Sequence, residues 1–278
     1  MIDGVRQQIA AVAEGWAKVD CTGCGDWFVR RASEDGDVCP RCIRERGERA
    51  RLEAEVERIR ANMTGYLARF VIKAGMTKRE TSADAALIPA PVRRILADPR
   101  VHTTELAGGG VPVHGFGLCG HAGVGKTFAL ASLFMSASHR RVERALQTDG
   151  FKAFRPWFAW VRWPEQVNEM RVVAASREDG LLAADQMLRR LAAAEAVVID
   201  DLGAERLRGS YDEDWSASQL DGLIDARYNN RRPTWYTTNL SPDDLLARYG
   251  TRLFSRLAGD NPMFTVAAGP DLRMVKGE

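Results

Sequence analysis

Eight consecutive residues have the types and order of a phosphate-binding loop with the pattern Gly-x-x-x-x-Gly-Lys-Ser/Thr. They are Gly120, His121, Ala122, Gly123, Val124, Gly125, Lys126 and Thr127. In such a loop the glycines let successive backbone N–H groups point at the α and β phosphates of a nucleotide, and the following helix N-terminus adds positive potential. Lys126 would then reach the β and γ phosphates, and Thr127 would ligate Mg²⁺. The apolar run 113–119 before the loop and the helical pattern 128–137 after it supply the strand and helix that this chemistry needs.

Two adjacent acids follow a second apolar stretch. Residues 196–199 read as a buried strand that leads into Asp200 and Asp201. An acidic group at the carboxyl end of a parallel strand, beside a phosphate loop, can hold the Mg²⁺ shell, and its neighbour can orient the attacking water. We therefore assign Asp200 to the metal and Asp201 to the water. Glu205 is a weaker candidate for the water-orienting role.

Four of the five cysteines have the spacing of a structural zinc site. Cys21 and Cys24 form one C-x-x-C pair, and after a gap of 14 residues Cys39 and Cys42 form a second. Four thiolates close a tetrahedron around Zn²⁺ and leave no open position for catalysis. Disulfides are the alternative, and a cytoplasmic chain disfavours them. The helical run after the second pair predicts a zinc ribbon or a treble clef, whereas Cys119 is expected to be a buried core thiol.

Length and composition allow one large core and one small module. The chain has 278 residues, of which 45% are hydrophobic, and a formal net charge of +2. No apolar stretch approaches the ~18 residues that a membrane-spanning helix needs. Residues 1–19 read as a helix of mixed charge without the apolar centre of a signal peptide. The sequence therefore predicts a cytoplasmic protein with no membrane partner.

Charge is distributed unevenly along three segments. Residues 1–62 carry 11 Lys and Arg against 12 Asp and Glu, residues 63–100 carry 7 against 3, and residues 101–278 carry 21 against 22. The basic middle segment is either a solvated helical face or a nucleic-acid contact. Four thiolates on Zn²⁺ add a formal charge of minus two to the first segment, which favours a protein partner for it. Single-stranded DNA stays open as its partner, because several arginines could form one basic face: Arg30, Arg31, Arg41, Arg44 and Arg46.

The same segments define the expected domains. Residues 1–62 would form the zinc module and a connecting helix, since residues 43–59 alternate Arg and Glu with few apolar positions. A two-stranded coiled coil is the alternative for that helix. Residues 63–100 contain prolines that predict a linker of short helices and turns, and residues 101–278 would form the nucleotide-binding core.

Strands and helices alternate within the predicted core. Residues 157–163 are apolar on both faces, as in a buried parallel strand, and Pro164 opens a helix. Their tryptophans are expected to pack in the core rather than to stack on bases. A helix at 216–228 and a strand at 233–238 follow. This order predicts an α/β fold with a parallel, doubly wound sheet flanked by helices.

Several phrases of the chain resemble the DnaC/IstB-like branch of the AAA+ ATPases, whose members load replicative helicases onto single-stranded DNA or assist transposases. The resemblance covers about residues 66–278, and it is most specific between 228 and 257. It is carried by Ile199-Asp-Asp-Leu-Gly-Ala-Glu205, Tyr228-Asn-Asn-Arg-Arg-Pro-Thr234, Thr237-Thr-Asn-Leu-Ser241 and Arg252-Leu-Phe-Ser-Arg-Leu257.

The resemblance implies further site residues. Asn239 matches the sensor 1 residue that helps place the water near the γ phosphate. Arg256 matches the arginine finger presented to the nucleotide of a neighbouring subunit, with Arg252 as the alternative finger. Arg273 resembles the sensor 2 arginine of the family. The resemblance further implies a core without a separate C-terminal lid domain and, since the Walker B strand ends in Asp-Asp rather than Asp-Glu, slow ATP turnover.

The sequence and the resemblance together predict an ATP-dependent loader of a replicative DNA helicase onto single-stranded DNA, in a bacterial cell or a phage-infected host. Its cofactors would be ATP, Mg²⁺ and Zn²⁺, and it would self-associate through the AAA+ core with ATP at the subunit interfaces. One alternative is an IstB-like transposition helper that acts on duplex DNA. Another is a zinc-bearing adaptor with little hydrolysis.

Overall fold

The computed structural model of the protein describes residues 16–31, 33–147, 156–176, 179–205, 210–259, 261–269 and 271. The chain forms two compact units, Met1–Asn62 (unit 1) and Met63–Glu278 (unit 2).

Unit 1 consists of a β-hairpin followed by one long helix. Strand β1 (Trp16–Asp20) pairs antiparallel with β2 (Trp27–Arg31), and helix α1 spans Pro40–Ala61. Phe28 and Val38 pack on the buried thiols of the cysteine cluster. The prediction of a helix over residues 1–19 is wrong for 16–19, because their backbone pairs with β2 and their side chains alternate between the two faces of the hairpin. Residues 1–15 lie outside the described part.

Helix α1 is exposed along most of its length, as the sequence predicts. Cys39 caps its N-terminus, and Pro40 stands in the first turn, where a missing N–H costs nothing. Its charged face carries pairs such as Arg49 and Glu53, which lie 3.0 Å apart. Only Cys42 and Ile59 are buried in this helix within the single chain.

Unit 2 is built on a five-stranded sheet with the order β4-β5-β6-β3-β7. All the strand pairs are parallel, which confirms the predicted sheet. The strands are β3 (Gly117–Cys119), β4 (Phe158–Arg162), β5 (Ala196–Leu202), β6 (Thr234–Thr238) and β7 (Met263–Thr265). Strand β3 is shorter than the predicted 113–119, because the Gly115 amide donates to the Asn261 side chain instead of to a neighbouring strand.

Eight α-helices and three short 3₁₀ helices belong to the described part of unit 2. The α-helices are α2 (Met63–Lys73), α3 (Ala90–Leu96), α4 (Thr103–Ala107), α5 (Lys126–Ala145), α6 (Trp163–Ser176), α7 (Gly180–Ala193), α8 (Ser210–Asn229) and α9 (Pro242–Gly259). The predicted helices after the phosphate loop, at Pro164 and at 216–228 correspond to α5, α6 and α8. No helix in the described ranges is long and apolar enough to cross a membrane.

Side chains alternate between two cores on opposite faces of the sheet. Val198 and Trp235 belong to one core, whereas their neighbours Val197, Ile199 and Tyr236 belong to the other. This alternation is the signature of a sheet covered by helices on both faces.

Aromatic rings dominate the first of these cores. The Phe134 ring on α5 lies 5.3 Å from that of Trp157 and 5.1 Å from that of Trp235, between ring centroids. Trp157, Trp160 and Trp163 are all buried. The expectation that these tryptophans pack in the core rather than stack on bases is therefore confirmed.

The segment 63–100 is part of unit 2 and packs against the sheet and α5. Phe70 and Val71 of α2 are buried in the same core as Phe134. The Trp160 amide on edge strand β4 donates to the Ala74 carbonyl across 2.6 Å. Gly75 has a φ of 109°, and a Cβ there would lie 2.0 Å from the Trp160 carbonyl oxygen, so only glycine fits. The segment thus covers the exposed edge of β4, besides the linking role that the sequence predicts.

Candidate nucleotide site and metal centre

The glycine-rich loop joins the end of β3 to the start of α5. Gly125 has a φ of 95° and caps α5, so that the amides of the first turn open toward the loop. Lys126 is buried, and its ammonium donates to the carbonyls of Gly120 at 2.7 Å and His121 at 2.8 Å. A third bond of 2.9 Å reaches Asn239 Oδ1 at the end of β6. The loop places His121 and Ala122 at the surface, Gly123 half-buried and Val124 in the core.

Asp200 accepts two hydroxyl hydrogen bonds at the end of β5. Its Oδ1 lies 2.8 Å from Thr127 Oγ1 and 2.7 Å from Thr237 Oγ1. Burial raises the pKa of Asp200 to about 6, with the charge of Asp201 adding to the rise and the two threonine hydroxyls opposing it. Thr127 and Asp200, which the sequence assigns to Mg²⁺, are therefore adjacent, and their oxygens are the hard ligands that this ion prefers.

Asp201 stands in a strained backbone conformation. Its φ is 55°, and the pairing of β5 with β6 shifts register between Ile199 and Leu202. A bulge of this kind re-aims side chains at the end of a strand, and strain of this kind clusters at functional sites. The Asp201 amide donates to Thr237 Oγ1 at 3.0 Å, which links the backbone of one acid to the side-chain network of the other.

Glu205, the weaker candidate for the water-orienting role, lies in the loop after β5 and contacts side chains of α9. It is buried, it accepts a 2.5 Å hydrogen bond from the Tyr249 hydroxyl, and its Oε1 lies 3.2 Å from the Arg248 guanidinium. These contacts tie the loop after β5 to α9 and occupy Oε1 of the carboxylate. Asp201 lines the cleft beside the phosphate loop.

The cleft has a volume of about 610 Å³. Residues already assigned to the site line it: Gly123, Gly125, Lys126, Thr127, Asp200, Asp201 and Asn239. The opposite side comes from the segment 63–100 and from β4, through Arg79, Glu80, Ser82, Leu87 and Arg162. A cleft of this size suits a small-molecule ligand of the nucleotide class.

The half-buried Arg162 and the buried Glu80 form an ion pair in the cleft wall that no sequence motif indicates. The Arg162 guanidinium lies 2.5 Å from Glu80 Oε1, and Glu80 also accepts from the Thr77 amide at 2.5 Å. Burial opposes ionisation of Glu80, but the Thr77 amide and Arg162 outweigh it and hold its pKa below the ordinary value. The one available signal was position, because Arg162 ends β4 directly opposite Asp200.

Asp271 lies against the phosphate-binding loop. Gly123 has a φ of 80°, which favours glycine, and a Cβ there would lie 2.0 Å from Asp271 Oδ1 and would displace that carboxylate. The predicted sensor 2 residue Arg273 lies outside the described residues, together with the rest of 272–278.

The two arginines proposed as fingers lie on α9 and face α8. Arg256 Nε lies 3.0 Å from Asp225 Oδ1, whereas the Arg252 guanidinium lies 3.6 Å from Asp225 and 3.7 Å from Asp221. The Arg252 side chain is 65% exposed and that of Arg256 is 27% exposed. Arg252 is the freer of the two to reach another subunit.

The four cysteines of unit 1 converge on one point. The sulfur atoms of Cys21, Cys24, Cys39 and Cys42 all lie within 4.8 Å of one another. The Cys24 and Cys39 sulfurs are 3.9 Å apart, close to the ~3.8 Å edge of a tetrahedron with Zn–S bonds of ~2.3 Å. All four are free thiols in the structure, so the disulfide alternative is not observed.

Backbone amides prepare these sulfurs for a cation. Cys21 Sγ accepts from the amides of Cys39 at 3.2 Å and Gly23 at 3.3 Å, and Cys39 Sγ accepts from the Cys42 amide at 3.4 Å. The Cys39 amide is the main reason that the pKa of Cys21 falls to about 6, whereas the hydrogen bond with the Cys39 thiol and burial raise the pKa of Cys42 to about 12. N–H groups directed at thiolates orient the ligands, and the donor set therefore fits Zn²⁺.

Two solved structures share the fold of the sheet-bearing unit. The DnaC helicase loader matches with a TM-score of 0.50 and 21% identity, over 69% of this chain and 100% of that one. DnaI matches with a TM-score of 0.50 and 18% identity, over 71% of this chain and 94% of that one. The chain therefore shares the fold of these two proteins. No protein-family model and no curated protein matches the sequence.

The comparison confirms the predicted α/β class and the resemblance to the DnaC branch at the level of the fold. The sheet order β4-β5-β6-β3-β7 carries the phosphate loop on β3, the paired acids on β5 and Asn239 after β6. These are neighbouring strands, so their carboxyl ends meet at one edge of the sheet. The four-cysteine cluster is an additional feature at the N-terminal end.

Proposed function

We propose that this protein is an ATP-dependent loader of a replicative DNA helicase onto single-stranded DNA. The observation that carries the proposal is the cleft at the carboxyl ends of β3, β5 and β6, set in a fold shared with helicase loaders. Lys126, Asp200 and Asn239 meet there within hydrogen-bonding networks that already link the three strands. Such an arrangement suits binding of a nucleoside triphosphate.

Each residue of the cleft has a defined part in the proposed hydrolysis. The amides of the loop and the α5 N-terminus bind the α and β phosphates, and Lys126 binds the β and γ phosphates. Thr127 and Asp200 would hold Mg²⁺, which neutralises charge on the β and γ phosphates when it is bound. Asp201 orients the attacking water, and Asn239 helps to place it. Arg273 is proposed to sense the nucleotide from the C-terminal segment.

ATP is proposed to lie at the interface between subunits of the AAA+ core. A finger arginine from the neighbouring subunit, Arg256 or alternatively Arg252, would neutralise charge that develops during phosphoryl transfer. Because both arginines pair with α8 in the single chain, assembly would release one of them from Asp225. Nucleotide binding and self-association would then be coupled.

We assign the helicase contact to residues 1–62 and a path for single-stranded DNA to the basic segment 63–100 and the assembled core. The acidic balance of residues 1–62 supports the first assignment, and the excess of 7 Lys and Arg over 3 Asp and Glu in residues 63–100 supports the second. The setting would be the cytoplasm of a bacterial cell or of a phage-infected host.

The test is a loading assay with the cognate hexameric helicase on a single-stranded circle or a gapped duplex. ATP should stimulate loading by the intact protein. Lys126→Ala should leave helicase binding largely intact but stop productive loading, whereas deletion of residues 1–62 should abolish helicase binding and spare ATP binding. ATP-dependent coating of duplex DNA without loading would identify a transposition helper instead, and ATP binding without turnover or loading would identify an adaptor.

A further inference from the structure

Two tryptophans are exposed on one face of the hairpin in unit 1. Trp16 is 47% exposed on β1, and Trp27 is 60% exposed on β2. Side chains alternate along both strands, so this outer face carries Trp16, Lys18, Asp20, Trp27, Val29 and Arg31. Exposure of two tryptophans on one small surface is uncommon, because this side chain usually buries most of its area.

The two tryptophans are exposed because the small core of unit 1 lies on the other face of the hairpin. The opposite face of the hairpin places Phe28 on the cysteine cluster, where Val38 also packs. That inner face supplies the small core of the module, and the two tryptophans take no part in it. Stability of the cluster therefore does not require tryptophan at either position.

Each exposed ring has a cation beside it. The Lys18 ammonium lies 4.6 Å from the centroid of the Trp27 ring, and the Arg31 guanidinium lies 5.9 Å from that of Trp16. Lys18 belongs to β1 and Trp27 to β2, while Arg31 stands directly opposite Trp16 across the ladder. The face thus carries two aromatic rings, each with a positively charged side chain next to it.

We propose that this outer face binds single-stranded DNA, with bases stacked on Trp16 and Trp27 and phosphates held by Lys18 and Arg31. Aromatic planes interleaved with cations are the general means of binding unpaired nucleotides, since every base has a π face and every nucleotide carries a phosphate. A duplex keeps its bases stacked inside and cannot use the rings in this way. This inference rests on the proposed loader function and adds a strand-binding face on unit 1.

The alternative occupant is a protein, for which exposed tryptophans would be anchors. The paired cations favour the nucleic acid, because each nucleotide brings a phosphate that a cation beside the stacked base can bind, whereas lysine is depleted in protein–protein interfaces. Lys18 and Arg31 instead place two positive charges at the rings themselves.

The test measures the affinity of the full chain for a fluorescent oligothymidylate by anisotropy. Trp16→Ala with Trp27→Ala should weaken binding by about fivefold for each lost stack, or roughly 25-fold together. Trp16→Phe with Trp27→Phe should retain most of the affinity. The matched control is Val172→Ala, which removes an apolar side chain that is equally exposed, at 60%, but lies on α6 of unit 2.

Salt dependence gives a second and independent readout. Lys18→Ala with Arg31→Ala should make the slope of log affinity against log salt shallower by roughly 1.4, about 0.7 for each phosphate contact on a single strand. Zinc content of one ion per chain in every variant verifies that the module is folded.

Unchanged oligothymidylate affinity in folded Trp16→Ala, Trp27→Ala protein would overturn the inference. So would an equal loss in the Val172→Ala control. A variant that loses helicase binding but keeps its affinity for the single strand would identify a protein-binding face and leave the loader proposal standing. Loss of strand affinity with helicase binding intact supports the inference.

Discussion

Lys126 donates a hydrogen bond to Asn239 across 2.9 Å, and this bond joins the phosphate loop to the end of the adjacent strand β6. The two residues are 113 positions apart in the chain. Strand β3 pairs directly with β6, so the sheet itself brings them together. Asn239 therefore stands beside the position that the γ phosphate would occupy, and it helps to hold Lys126 in place.

Replacing Lys126 and replacing Asn239 should have different effects on ATP binding and ATP hydrolysis. Lys126→Ala removes the charge that binds the β and γ phosphates and should weaken ATP binding roughly tenfold or more. Asn239→Ala should change ATP affinity by no more than about threefold but slow hydrolysis roughly tenfold. Nucleotide affinity by calorimetry and turnover by phosphate release measure the two effects separately. Asn230→Ala, an exposed asparagine outside the cleft, is the control.

The adjacent acid can be assigned by a second pair of variants. Asp201→Asn should spare ATP binding and reduce hydrolysis by about tenfold or more, because it removes the charge that orients the water. Glu205→Gln should keep hydrolysis but lower the free energy of unfolding by about 2 kcal/mol, since Glu205 is buried against Tyr249 and Arg248. Normal turnover in Asp201→Asn together with loss of turnover in Glu205→Gln would reverse the assignment.

Local patterns were sufficient to predict the parts of the site that each depend on one strand end. The loop needs a strand before it and a helix after it, and both are encoded within residues 113–137. Asp200 needs only an apolar strand that ends in an acid. The parallel order of the sheet then brings these ends together without further information.

Contacts between distant segments were not predictable in the same way. Arg162 and Glu80 are separated by 82 positions, and neither stands in a motif. Thr237, which binds Asp200 from 37 positions away, reads in sequence as an ordinary strand residue. The strand at 16–20 was mistaken for a helix because its partner strand, and not its own propensity, fixes its conformation.

Zinc should be present at about one ion per chain, because the two cysteine pairs supply one complete tetrahedral set. Cys39→Ser should release the ion and unfold unit 1, while unit 2 keeps its nucleotide affinity. Cys119→Ser is the matched control, since this buried thiol bonds to Phe264 and Thr265 in unit 2 and should leave the zinc content unchanged. Elemental analysis of protein purified without chelators decides the matter, and an absence of zinc would contradict the assignment.

The Glu80–Arg162 pair should make the free energy of unfolding depend on pH. The folded-state pKa of Glu80 is lowered, so its contribution is fully present above the unfolded-state pKa and is lost as the pH falls through the folded-state value. Glu80→Gln should lower the free energy of unfolding by about 1–2 kcal/mol at pH 7, and the difference from the wild type should shrink below about pH 4. Urea titrations from pH 7 to pH 3 measure it.

A control is available for this pH dependence on the surface of the same unit. Glu195 pairs with Arg141 at 2.5 Å, but its side chain is 49% exposed. Glu195→Gln should change the free energy of unfolding by no more than about 0.5 kcal/mol at any of these pH values. An equal effect in both variants would show that burial of Glu80 is not the cause.

The finger arginine should act between subunits. Arg256→Ala should bind ATP normally but hydrolyse it roughly tenfold more slowly or worse, because the finger acts only on the charge of the transition state. Mixed with Lys126→Ala subunits, it should regain part of the activity, since one interface can then combine an intact loop with an intact finger. The same mixture made with Arg252→Ala tests the more exposed neighbour. If only the mixture with Arg252→Ala regains activity, the finger is Arg252. If neither mixture regains activity in conditions where the subunits co-assemble, a finger acting in trans is contradicted.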